Sequence, residues 1–289
     1  MNIPHLNYNP GLAGQFRLRQ NIAYSAAGGS GMTLDIFTPW SADDGQTHGE
    51  PLPLLVFVQG SSWCTPDRSY EYAQLALFAH AGFVVATVGH RDMREGHPFP
   101  AFLQDVKCAI RYLRANAAQY GIDPARVLIW GTSSGGNTAL LVGTTGDDPA
   151  YKTAEYAEQS DAVSAAVSCF GPTDVEALFK FLIDMPGARE IGAALAGSMD
   201  EDRIWAAARE MSPVNHVQPG RAYPPMLLLN GTADPIVPHA QMEAMVEKLE
   251  SVGSPAEAYY VDNAEHEGNI WSPELRDVIK AFVKKHAGT

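Results

Sequence analysis

Apolar and polar positions along this chain follow two alternating rhythms. Residues 52–58 are a short apolar run flanked by Pro53 and Gly60, which predicts a strand buried on both faces. Similar runs predict strands at 83–88, 127–130, 162–169, 226–230 and 256–261. Between them, helical patterning covers 70–81, 101–120, 238–252 and 273–286. In 101–120, Phe102, Val106, Ala109, Ile110 and Leu113 share one face, with Cys108 also turned inward. Lys107, Arg111 and Arg114 are expected on the outer face, and Gly121 caps the end. Residues 21–26 and 32–38 read as an antiparallel pair turned by Gly28-Gly29-Ser30-Gly31. Residues 1–20 have no clear period and read as a helical or irregular arm, and 41–50 as a polar surface loop. The alternation predicts an α/β protein with a mostly parallel sheet wrapped by helices. Ligands of such sheets bind outside the carboxyl ends of the strands.

One stretch breaks the rhythm. Residues 170–223 are longer than a crossover between two strands needs. Helical pieces at 175–183 and 200–211 are interrupted by Pro186 and Gly187. The stretch reads as a helical cap inserted in one domain spanning 1–289, or as a decorated crossover. Over the whole chain of 289 residues the net charge is −13, which disfavours nucleic-acid and anionic-membrane partners. The three cysteines, Cys64, Cys108 and Cys169, show no metal or disulfide spacing. No signal-like start and no membrane-length apolar run is evident, so a cytoplasmic location is expected.

The chemistry centres on Gly131-Thr132-Ser133-Ser134-Gly135-Gly136, directly after the apolar run 127–130 and before a helical run from Asn137. This G-x-S-x-G pattern between strand and helix presents a serine at a tight bend, where glycines remove clashing side chains. A nucleophilic serine needs a base, and the base needs a group that fixes its tautomer. Asp234 follows the strand at 226–230, and His266 follows the strand at 256–261. Together they complete the order Ser, Asp, His. Asp234 also reads as a turn aspartate before Pro235, and His90 and His97 are rival bases among the nine histidines. An oxyanion hole is expected from the N–H of Ser134 and from the loop Gln59-Gly60-Ser61-Ser62-Trp63.

With these residues the chain resembles the α/β-hydrolase superfamily. The elbow, Phe99-Pro100-Ala101, Asp105, and the run through Tyr120-Gly121-Ile122-Asp123-Pro124 resemble the carboxylesterases related to hormone-sensitive lipase and bacterial feruloyl esterases. The resemblance implies an eight-stranded sheet with a cap, no cofactor or metal, and a small-molecule ester as partner, and leaves a homodimer open. It implies Ser133, Asp234 and His266 as the triad. Where the family's oxyanion loop reads His-Gly-Gly-Gly, this chain has Gln59, Gly60, Ser61 and Ser62. By that alignment the loop donors are the N–H groups of Ser61 and Ser62, with Gln59 bracing the loop. Gln59, Gly60, Trp63 and Trp271 are expected at the substrate, though Trp63 also reads as a buried anchor and Trp271 as helix packing. Hydrolysis of short-chain or aryl esters is expected. The alternatives are an arylformamidase or small peptidase using the same triad, or a non-catalytic relative that binds a ligand.

Overall fold

In the computed structural model, residues 3–9, 15–27, 32–40, 50–254 and 256–289 are described. The apolar runs form strands β1 (Phe16–Ser25), β2 (Met32–Pro39), β3 (Leu52–Val58), β4 (Val84–Val88), β5 (Ile122–Thr132), β6 (Ala165–Cys169), β7 (Met226–Gly231) and β8 (Ala256–Val261). They make one eight-stranded sheet in the order β1-β2-β4-β3-β5-β6-β7-β8. β1 and β2, and β2 and β4, pair antiparallel; from β4 to β8 every pairing is parallel. The chain steps from β3 outward to β4, then returns to lay β5 on the other side of β3. That reversal opens a crevice at the carboxyl ends of β3 and β5, where ligands of such sheets bind.

Successive side chains in β3 face opposite ways. Leu54, Val56 and Val58 join one core. Leu55 and Phe57 join the other. The first core is covered by α2 (Ala101–Ala115), α4 (Ser134–Thr144) and α9 (Ala240–Ser251). The second is covered by α1 (Tyr72–His80) and α10 (Pro273–Ala287). Burial on both faces explains why these strands read as continuous apolar runs.

Four expectations are corrected. β1 begins at Phe16, inside the expected arm, because the Phe16 ring packs on Phe37 with centroids 5.6 Å apart. β5 starts at Ile122 and so runs through Asp123 and Pro124 before the apolar stretch. The helix expected over 101–120 breaks at Asn116, leaving a short α3 (Ala117–Tyr120). Lys107 and Arg111, expected outside, have fully buried side chains. Lys107 Nζ donates to Asp161 Oδ1 at 2.7 Å and Arg111 Nη1 to Asp161 Oδ2 at 2.9 Å. The segment after α4 carries Asp161 over this face of α2, so a charged face becomes an interior one. The turn at 28–31 and most of the loop at 41–50 lie outside the described residues.

Between β6 and β7 the chain forms α5 (Val175–Leu182), α6 (Ala188–Ala196), α7 (Glu201–Glu210) and α8 (Pro213–His216). Asp174 and Asp200 cap α5 and α7 by accepting from the N–H groups of Ala177 and Arg203. Helix α6 starts just after Pro186 and Gly187, which read in the sequence only as a break. Among the described residues, no helix is long and apolar enough to cross a membrane.

Candidate active site

The site begins at the turn from β5 into α4. Gly131 and Gly135 are obligatory there. A Cβ on Gly131 would lie 2.1 Å from the Gly135 oxygen, and one on Gly135 would lie 2.0 Å from the Val58 oxygen. This contact sets the elbow against the end of β3. Ser133 is forced to φ 49°, ψ −123°, a costly backbone for a residue with a Cβ. Its N–H donates to the Cys169 carbonyl at 2.9 Å, which pins the strained residue to β6.

Three expected residues from separate strand ends meet here. Ser133 Oγ lies 3.0 Å from His266 Nε2, and His266 Nδ1 lies 2.7 Å from Asp234 Oδ2. Asp234 Oδ1 accepts the N–H groups of Ile236 and Val237, each at 2.9 Å. An ionised carboxylate can only accept, so His266 carries its proton on Nδ1 and offers a lone pair at Nε2. The Asp234 side chain is fully buried, and Phe170 packs edge-on against the His266 ring at 4.8 Å. Burial strengthens the attraction between the carboxylate and a charged imidazole. The rival histidines are elsewhere. His90 is buried, its Nδ1 lies 3.0 Å from the Arg91 carbonyl, and desolvation pulls its pKa down. With His97 it lines a separate cavity that Ser133 does not reach.

The oxyanion loop differs from expectation at several positions. Ser61, expected as a donor, spends its N–H on Ser134 Oγ at 2.9 Å. Its own hydroxyl donates to the Cys64 carbonyl at 2.6 Å. Gly60 likewise donates its N–H to Thr132 Oγ1 at 2.9 Å. Both residues tie the loop to the elbow and do not wall the cavity. Gln59, also expected at the substrate, braces the loop by accepting the Asp67 N–H at 2.8 Å. Ser62 and Trp63 both sit at positive φ, 53° and 57°, and both line the cavity with Ser133 and Ser134. Serine thus holds a conformation that favours glycine. Trp63 is wall and anchor together: its Nε1–H donates to Asn137 Oδ1 at 3.2 Å. Trp271, expected at the substrate, packs in the second core beside Trp130 and Phe170, and its indole N–H donates to Glu267. Cys64 is buried, and burial pushes its thiol pKa up, which suppresses the nucleophilic thiolate.

The cavity over Ser133 measures about 210 Å³. Leu178, Phe179, Leu182, Met185, Ala188 and Ile191, all between β6 and β7, form much of its wall, and Ile236 and Val237 close the Asp234 side. Among the described residues, no side chain lining it is charged. Sequence reasoning found the insertion by its length but not these residues, because their shared face exists only once α5 and α6 pack together. It also missed Asn137, whose Nδ2 donates to the carbonyls of Pro172 and Met211, each at 2.9 Å. Asn137 therefore joins the oxyanion loop to the 170–223 segment.

Comparison with known proteins agrees with this architecture. A family model described as BD-FAE matches residues 34–249. Esterase LipC of Mycobacterium tuberculosis is 33% identical over 223 residues, covering 74% of this chain and 51% of that protein. The chain spans about half the length of the curated relatives it matches. Among solved structures, a truncated carbohydrate esterase from gut microbiota is 26% identical with a TM-score of 0.77, covering 94% of this chain and 97% of that one. A bifunctional GH43-CE protein of Bacteroides eggerthii is 27% identical with a TM-score of 0.79, covering 96% of this chain and 39% of that one. With an eight-stranded sheet, a strained serine elbow and this family match, the chain belongs to the BD-FAE family, with the α/β-hydrolase fold.

Proposed function

We propose that the protein hydrolyses carboxylic esters through an acyl-serine intermediate. The observation that carries this reading is the unbroken hydrogen-bond chain from Ser133 through His266 to Asp234. Ser133 Oγ attacks the ester carbonyl while His266 Nε2 takes its proton. Asp234 holds the imidazole in the required tautomer and stabilises the imidazolium. The N–H groups of Ser62 and Ser134 face the developing oxyanion, and Ser61 braces them. His266 then protonates the leaving alcohol, and water repeats the cycle on the acyl-enzyme.

An uncharged cavity of about 210 Å³ favours neutral, compact acyl groups, short-chain or aryl, over charged ones. The names of two structural neighbours, a carbohydrate esterase and a GH43-CE protein, support an ester carried on a sugar alcohol as one substrate class to assay. The deciding experiment is labelling with a fluorophosphonate, alongside turnover of matched esters, formamides and peptides. We expect labelling that is lost in Ser133→Ala with an unchanged circular dichroism spectrum, and fastest turnover on esters. Near-native ester turnover by folded Ser133→Ala would overturn the reading.

A further inference from the structure

A second, smaller cavity of about 70 Å³ lies among α5, α6 and α7. Phe179 and Ala188 line both this chamber and the cavity over Ser133, so together they form the partition between the two. The Phe179 side chain is well packed there, with the residue only 8% exposed. Its ring rests against Gly192: a Cβ added at Gly192 would lie 3.6 Å from the ring and 3.0 Å from Ile204 Cγ2. Beyond the ring, the chamber is lined by apolar Ile204 and Trp205, with the exposed side chains of Ile183 and Met199 at its mouth. At its rim, Arg189 and Glu201 face each other at 3.9 Å, both largely exposed. No residue of the Ser133–His266–Asp234 chain reaches this chamber, and the proposed chemistry leaves it unused.

We infer that this chamber is an extension of the acyl site, shut off from it by the Phe179 ring and open to solvent at its far rim, and that the ring is the stop that sets acyl chain length. The inference rests on the ester-hydrolase reading and adds a specificity-determining residue to it. The direction of the acyl chain follows from the proton path. His266 protonates the leaving alcohol, so the alcohol occupies the side walled by Ile236 and Val237, which follow Asp234 closely in the chain. The acyl chain then runs the other way, along α5 and α6. A short acyl chain that follows this wall ends against Phe179. A longer alkyl chain must displace the ring to reach apolar surface, and the Arg189–Glu201 rim bars further extension because an alkyl chain there would desolvate charge.

The test is kcat/KM for p-nitrophenyl esters of two- to ten-carbon acids, in wild type, Phe179→Leu, Phe179→Ala and the double variant Phe179→Ala/Ile204→Trp. Phe179→Ala should raise the octanoate-to-butyrate ratio by at least about tenfold, since a single methylene in an apolar pocket is worth about that much. Phe179→Leu should give an intermediate rise, and it carries the test should the alanine variant not fold. Refilling the chamber with Ile204→Trp should return the ratio toward the wild-type value. Fluorophosphonate labelling of Ser133 checks that each variant retains an assembled site. An unchanged ratio in a folded, labelled Phe179 variant would overturn the inference while leaving ester hydrolysis in place. So would a shift seen with alkyl acetates of varied alcohol length and absent from the acyl series, because the chamber would then serve the alcohol. Wild-type protein that turns over no ester would instead remove the parent reading, and this inference with it.

Discussion

Asp234→Asn is the sharpest single perturbation of the site, because the hydrogen bonds around Asp234 dictate which way the new amide must point. Asp234 Oδ1 accepts two backbone N–H groups, from Ile236 and Val237, and Oδ2 faces His266 Nδ1. An asparagine has one oxygen, and the two N–H groups claim it. Its NH2 must then occupy the Oδ2 position and donate to His266 Nδ1. That forces the imidazole proton onto Nε2, where it faces Ser133 Oγ and cannot accept the serine proton. In serine hydrolases the wrong tautomer costs on the order of 10⁴-fold in kcat, about 5.4 kcal/mol in the transition state. The backbone contacts survive, so the fold should hold. Asp234→Ala also removes the partner of both N–H groups, and orphaning the buried Val237 N–H alone costs about 1–3 kcal/mol, with less from the part-buried Ile236 N–H. The two variants should therefore share the kcat loss and differ in stability, with only the alanine lowering Tm by several degrees. The assay is turnover of p-nitrophenyl butyrate, normalised by active-site titration, beside thermal denaturation. An Asp234→Asn enzyme within tenfold of wild type would refute the tautomer argument. Equal Tm losses in both variants would refute the assignment of Oδ1.

Three further outcomes can be checked independently. Ser62→Gly should keep ester turnover and raise stability by up to about 1 kcal/mol, because relief of a left-handed serine, about 1–2 kcal/mol, outweighs the added chain entropy of glycine; urea denaturation that shows a loss would count against strain at this loop. Asp161→Ala strands Lys107 and Arg111 without a carboxylate in the interior, and should cost about 3–5 kcal/mol by the same measurement, whereas a change under about 1 kcal/mol would mean the cations find other partners. Burial, assisted by the nearby Glu267 carboxylate, raises the Glu71 pKa from 4.5 to about 7, so the folded state binds a proton that the unfolded chain has released. Stability from this group is present below pH 4.5 and is lost as pH rises to about 7, so Tm should fall less between pH 5 and pH 8 in Glu71→Gln than in wild type. An identical fall in both proteins would place that pH dependence elsewhere.

What the sequence determined by itself was the frame and the addresses. A strand buried on both faces must be apolar throughout, so β3, β4 and β7 were visible as short runs wherever the chain folded them. The glycines at 131 and 135 were legible because no other residue permits backbones to approach at the distances found there. Asp234 and His266 were legible as strand-end positions, since parallel strands deliver their carboxyl ends to one edge. Only the tertiary structure decided what depends on a distant partner. Lys107 and Arg111 are inside because Asp161, some fifty residues on, covers them. The Ser61 N–H is spent because the Ser134 hydroxyl turns toward it. Trp271 leaves the substrate for the core because Trp130 and Phe170 offer it aromatic surface and Glu267 takes its N–H. The cavity wall and its Phe179 partition arise from α5 and α6, which meet only after the insertion folds across the sheet edge. Periodicity reports which face of an element is apolar; it carries no information about which other element will cover that face, and that pairing shapes the pocket.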